Sequence, residues 1–164
     1  MEARQVAVGW VSEEARPLEV LSDKWFKRFL PEDRRAVVPT PKTTSKDVGN
    51  TYFAMQEVLI DRLGRIDGAI HLALDIWTSP NGHSFLGVIG CWHESGVAQR
   101  HVLDMITFTE RHTAENTSNL ILKLAKRLRI EDKIWFISGD NASTNTAMMR
   151  ILGSNESLPR VQGE

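Results

Sequence analysis

Two aspartates stand where this chain could do chemistry. Asp75 closes the apolar climb Ile70-His71-Leu72-Ala73-Leu74, and Asp140 follows a second apolar run from Ile134 to Ser138 and Gly139. A carboxylate set into a buried strand loses its hydration, so it needs a cation, a set of donors or a metal ion. The plain alternative is a strand-edge aspartate that caps a turn, a common use of the residue. What favours chemistry is the recurrence of the pattern in a second strand. Brought to one end of a sheet, the two acids would share a cation. Hard Mg²⁺ or Mn²⁺ takes carboxylate oxygens, and two such ions roughly 4 Å apart clamp the attacking and leaving oxygens of a phosphodiester. The ions would also relieve the repulsion between two close like charges. Strand-end aspartates serve nucleotide-binding α/β folds as well, where they hold ribose or magnesium.

Other chemistries find little support. There is no G-x-G-x-x-G, no Walker sequence, no G-x-S-x-G elbow and no H-E-x-x-H. The single cysteine, Cys91, lies in an apolar run, and with His93 it makes too few ligands at the wrong spacing for zinc. It reads as a small core residue, and one cysteine excludes disulfide scaffolding and fits a reducing compartment. His112 is either a proton shuttle or a helix-entry histidine, and the second is the simpler role. Hydrophobic and charged fractions of 41% and 25% are those of a globular protein, and 164 residues suit one domain with a real core. A net charge of -1 gives no global basic field for nucleic acid or an anionic membrane. No apolar run approaches the roughly 20 residues of a membrane span, and no secretory signal is visible.

The elements that must position the acids follow from periodicity. Leu18, Leu21, Trp25, Phe26, Phe29 and Leu30 recur at helical spacing up to Pro31, and this aromatic stripe reads as packing surface. Pro31 to Thr44, with three prolines, reads as a linker. A second helix is expected from Ser45 to Leu63, with Val48, Tyr52, Met55, Leu59 and Leu63 on one side and Gly64 at its end. The period then changes. Ala69 to Ile76, Phe85 to Trp92 and His101 to Phe108 are strands joined by turns at Asn81-Gly82 and Glu94-Ser95-Gly96, an antiparallel meander. A helix from Thr113 carries Leu120, Ile121, Leu124, Leu128 and Ile130 on one face. Lys123, Lys126, Arg127 and Arg129, the most basic local patch, read as a solvated face that suits its C-terminal dipole, the alternative being a DNA contact. This helix is the crossover that lets a fourth strand, Ile134 to Ser138, return parallel to the first. A last helix opens near Ser143, and Gly153 to Glu164 reads as a polar tail. The expected organisation is a helical segment over 1–66, a sheet-bearing core over 67–152 and the tail over 153–164.

Three segments carry a resemblance. L-A-L-D-I-W-T-S-P-N-G-H-S-F-L-G-V, R-H-T-A-E-N-T-S-N-L-I and I-S-G-D-N-A-S-T-N, in this order, resemble the hAT superfamily of DNA transposases. Upstream, Trp10-Val11, Arg16-Pro17-Leu18, Trp25-Phe26 and the stretch from Pro39 to Thr44 and Tyr52 resemble the helical segment before that family's catalytic core. The resemblance implies an α/β, RNase H-like fold: a three-stranded antiparallel meander, a crossover helix, and a fourth strand parallel to the first, preceded by two N-terminal helices. It implies that Asp75 and Asp140 are the first and second metal-binding catalytic acids, with Mg²⁺ or Mn²⁺ as cofactor. Trp77, Thr78 and Ser79 would shape the loop beside the first acid. Asn141 and Asn145 match polar positions after the second, and all five are candidate nucleic-acid contacts. For Trp77 a core aromatic, and for the asparagines a turn or helix cap, are the structural alternatives.

The departures from the family matter as much. No cysteine–histidine set is present for its N-terminal zinc module. Its helical insertion, the third acid (a glutamate on a later helix) and the dimerisation region have no counterpart, and Glu156 and Glu164 are not credible replacements. The expectation is a truncated transposase core in the nucleus, derived from a metal-dependent enzyme of DNA cleavage and strand transfer and inactive by itself. The alternative is a domesticated or relic module that associates with DNA or protein without catalysis. Uncovered sheet surface or a free strand edge would favour self-association.

Overall fold

The computed structural model describes residues 3–109, 113–140 and 143–161, and gives only the backbone for 143–145. The chain divides into two compact units, residues 1–58 and 59–164.

In the second unit the meander forms as the alternation of apolar residues requires. Strands β1 (Ile70–Thr78), β2 (Ser84–Glu94) and β3 (Val97–Thr107) pair antiparallel, and β4 (Ile134–Ser138) adds to β1 in parallel, in the order β3-β2-β1-β4. Gly82 and the Ser95-Gly96 pair turn the two hairpins with positive φ, the conformation their expected turns demand. The crossover is α5 (Ala114–Leu128), and α6 (Ser143–Gly153) follows β4. Thr113 caps α5 by accepting from the Asn116 backbone N–H at 3.2 Å. Arg129 ends the helix in the left-handed region. The mixed α/β architecture and the parallel β1–β4 pair are those expected.

One face of the sheet carries the core. Leu72, Leu74, Leu86, Val88, Trp92, Leu103 and Ile137 are buried there with Ile121, Leu124 and Leu128 of α5 and Met148 and Leu152 of α6. The Ser118 hydroxyl of α5 donates to the Met148 carbonyl of α6 at 3.4 Å, and α5 buries one face and exposes its cations as its periodicity requires. The long helix α4 (Pro41–Gly64) brings Leu63 into the same core at its end. The Lys133 ammonium donates to the carbonyls of Leu63, Gly64 and Ile66 at 2.8–3.0 Å, satisfying acceptors that a helix C-terminus leaves open. Gly153 to Val161 is not a loose tail, because Leu158 and Val161 are buried in this core.

The first unit is richer in helix than its sequence suggests. The segment before Val11, which lacks a strong period, lies in α1 (Ala3–Glu13). The expected single helix over 18–30 is broken: a 3-10 turn spans Leu18–Ser22, Asp23 turns extended, and α2 runs Lys24–Phe29. The Asp23 carboxylate accepts from the backbone N–H groups of Trp25 and Phe26 at 2.7 and 3.0 Å, so the break is a new N-cap. A short α3 (Glu32–Arg35) interrupts the expected linker, and α4 starts at Pro41, since proline is tolerated in a first helical turn. The core of this unit is Ala7, Val11 and Leu21, with Trp10, Phe26, Val38 and Val48 packed around it.

Candidate functional site

Asp75 is not the terminal residue of a buried strand. It lies three residues before the end of β1, on the exposed side of the sheet, so its charge keeps its hydration. The alternation of β1 explains this: Leu72 and Leu74 face the core, while His71, Ala73, Asp75 and Trp77 share the other face. No buried charge has to be compensated, and the costly buried carboxylate inferred from the apolar run is corrected accordingly.

The neighbours of Asp75 on that face are small. Across β2 its partner is Gly87, which has no side chain, and along β1 its near neighbour is Ala73. Across β4, Ala73 pairs with Ser138, the last residue of that strand. Asp75 and Asp140 each lie two residues beyond this last pair, Asp75 within β1 and Asp140 past the end of β4. Strands in such a ladder are about 4.8 Å apart. Asp140 is exposed as well. The fourth strand therefore lies where the sequence required it if the two acids were to meet.

Trp77 closes one side of this cradle. Its ring stacks on Phe85 with centroids 5.5 Å apart and leans over β2 above Gly87, where a built Cβ would meet ring carbon Cζ3 at 3.1 Å. It is 38% exposed, hence not the core aromatic of the structural alternative. Thr78 and Ser79 are engaged in closing the hairpin. The Thr78 and Ser84 hydroxyls are 2.9 Å apart, and the Ser79 backbone N–H and carbonyl bond His83 and Gly82. Asn141 and His112 lie outside the described residues, and Asn145 is on α6 with its side chain outside them.

Hard carboxylate oxygens at an open, hydrated position are the donors a magnesium-like ion takes, with water and substrate phosphate completing its shell. Among the described residues, however, no cluster of three or more histidine, cysteine, aspartate or glutamate side chains could hold a metal ion. Cys91 is half-buried on β2, in keeping with a small packing residue. The sequence reasoning missed the small residues around the acid. Gly87 was open to notice, because a glycine inside a strand marks a close approach.

The comparisons decide the family. The sequence model of the ZBED1 RNase-like domain matches residues 73–160, more than half of the chain and all of the cradle. The chain belongs to the ZBED1 RNase-like domain family. Its relatives place it with the hAT-type transposases. Two proteins of Zea mays that carry the names AC transposase and AC9 transposase are each 24% identical to it over 131 residues, 79% of this chain and 16% of the relative. A protein of Talaromyces stipitatus that carries the name transcriptional regulator tpeD is 24% identical over 160 residues, 94% of this chain and 19% of the relative. The chain thus spans less than a fifth of the length of these relatives. Both acids, β2, β3 and β4 lie within the matched region, which begins inside β1.

Proposed function

We propose that this chain is a segment of a hAT-type transposase core acting on DNA in the nucleus, with Asp75 and Asp140 as a divalent-metal pair. The observation that supports this is the β1–β4 register, whose last pair, Ala73 with Ser138, lies two residues before each of the two exposed acids. Asp75 and Asp140 would hold Mg²⁺ or Mn²⁺, and a bound ion would supply charge stabilisation to a phosphodiester under in-line attack. Ala73, Gly87 and Ser138 keep the approach to the carboxylates open, while Trp77 bounds it. With two acids and no third donor among the described residues, the pair binds an ion weakly and the isolated chain does not cleave DNA. Thr78 and Ser79 support the cradle through the hairpin, and Trp77, Asn141 and Asn145 remain the candidate nucleic-acid contacts.

Thermal unfolding in a Mn²⁺ titration tests the pair. At tenfold over its dissociation constant an ion stabilises by about 1.4 kcal/mol. For a chain of this size that raises Tm by roughly 3–5 °C. Asp75→Asn and Asp140→Asn should each abolish the rise. Identical titrations for wild type and both variants would refute the metal pair. Nicking of supercoiled plasmid by the purified chain would overturn the proposed inactivity.

A second reading is a non-catalytic, DNA-associated regulator. It is favoured by the extent of the match to the relative named as a transcriptional regulator, which covers both units. Here DNA binding would survive loss of both acids and need no metal. Self-association would fit the apolar side chains exposed on the sheet, Val102, Met105 and Phe136 among them. Analytical ultracentrifugation reads it directly.

A further inference from the structure

We propose that the outward face of α2 is a contact site for single-stranded DNA. The helix has six residues, Lys24-Trp25-Phe26-Lys27-Arg28-Phe29, with three cations and no acid. Its two faces differ sharply. Phe26 turns inward and stacks on Trp10 with centroids 5.1 Å apart, in the core of the first unit. Lys24, Trp25, Arg28 and Phe29 lie outward, at the helical spacing that makes neighbours of residues four apart. Trp25 is 63% exposed and Phe29 90% exposed, so two of the six residues of the expected packing stripe are left largely uncovered. That corrects the reading of this stripe from its spacing.

The composition of the face selects its occupant. The Arg28 guanidinium sits 4.9 Å from the Trp25 ring centroid and the Lys24 ammonium 5.9 Å, so cation and aromatic alternate along it. Arg35 adds a further cation by folding back to donate to the carbonyls of Leu30 and Arg28 at the end of the helix. The nearest acid, Asp23, is turned to the backbone as the cap. An apolar protein partner would be met by aromatic side chains without the cations Lys24 and Arg28 beside them. A strand with unpaired bases matches both parts, bases stacking on exposed aromatic rings and phosphates meeting the cations. Charge complementarity, with no acid on the helix, is what points to a polyanion. The choice of DNA over RNA rests on the function proposed above, while the stacking argument stands apart from the metal pair.

The test is fluorescence anisotropy of a labelled fifteen-nucleotide oligo-dT with the full chain, with a duplex of equal length in parallel. About three phosphate contacts predict a log–log salt slope near −2, or roughly 20-fold weaker binding at 200 than at 50 mM NaCl. The double variant Lys24→Glu, Arg28→Glu should weaken binding at least about tenfold and flatten the slope toward about −0.7. Phe29→Ser, at the most exposed position, should weaken oligo-dT binding about fivefold or more and change duplex binding less than about twofold. The control is Lys123→Glu, Lys126→Glu on α5, which reverses as many charges elsewhere and should leave more than half of the affinity. Far-ultraviolet circular dichroism verifies that each variant is folded. Binding of the α2 variants equal to wild type, or an equal loss in the control, would overturn the proposal. So would a Phe29→Ser variant that alters only self-association, which would make this face a protein interface. Loss of Mn²⁺ stabilisation in the acid variants has no bearing on this result, so the two proposals fail separately.

Discussion

Around Asp75 the decisive residues are those with the least side chain. Gly87 faces the acid across β2, and a Cβ there would press on the Trp77 ring at 3.1 Å. The ring edge can yield by a few tenths of an ångström, so Gly87→Ala is expected to fold with a stability loss under about 1.5 kcal/mol and a displaced indole. The tryptophan near-ultraviolet dichroism should change, and the Mn²⁺ increment to Tm should fall because the cradle narrows. The acids themselves predict an opposite sign. If Asp75 and Asp140 repel one another without metal, Asp75→Asn should raise the metal-free Tm even as it abolishes the metal-dependent rise. A lower metal-free Tm would mean that Asp75 serves the fold. Both acids stand out in the sequence because each follows an apolar run. The exposure of Asp75 does not, because an apolar run conceals which of its alternate positions faces solvent.

At the scale of elements, the strands are more faithful to their sequence than the N-terminal helices. The meander, the crossover and the fourth strand were legible because apolar alternation, Asn81-Gly82 and Ser95-Gly96 all point the same way. The single helix over 18–30 was not, since Asp23 can either sit on a polar face or cap a new helix, and here its carboxylate takes two backbone N–H groups. Tyr52 and Met55 of α4, placed by period on a buried side, are exposed, whereas Leu63 is fully buried. Period identifies a face but not what covers it. The tightest element contact is at Gly90 of β2, where a Cβ would meet the Leu103 side chain at 2.9–3.1 Å. Leu103 is 1% exposed and has no room to withdraw. Gly90→Ala should therefore cost about 1–3 kcal/mol, read as a lowered urea midpoint at unchanged m value. At the far end of the same strands, Arg62 donates to Glu94 and lies over Trp92, with its guanidinium 5.5 Å from the ring centroid. That hydrogen bond holds the Glu94 carboxyl below its ordinary 4.5 and raises Arg62. A depressed acid stabilises the fold above its unfolded pKa, and the contribution is lost as pH falls through the folded one. Tm should thus decline from about pH 5 downward more steeply in wild type than in Glu94→Gln. Parallel curves would show that the pair does not contribute.

For the whole molecule the two units rest on cores of very different size. Among the described residues, the second buries about twenty apolar side chains in one cluster, from Leu63 to Val161, and the first buries Ala7, Val11 and Leu21. Apolar burial contributes about 25 cal/mol per Å², so three buried side chains and the partly buried ones around them offset less of the entropy of ordering several short helices than the larger core does for its own unit. Exposed aromatic surface on α2 adds nothing to that balance until a partner covers it. Local opening free energies run from near zero up to the global value, and the smaller core belongs to the low end. Amides of α1 and α2 should exchange at least about a hundredfold faster than those of β1 and β4, a gap of roughly 2.7 kcal/mol. Saturating oligo-dT should slow exchange in α2 selectively, and Mn²⁺ should slow it near Asp75 and leave α2 unchanged. Hydrogen exchange read by mass spectrometry separates these responses in one sample. Uniform protection across both units would show that the small core is held as firmly as the large one.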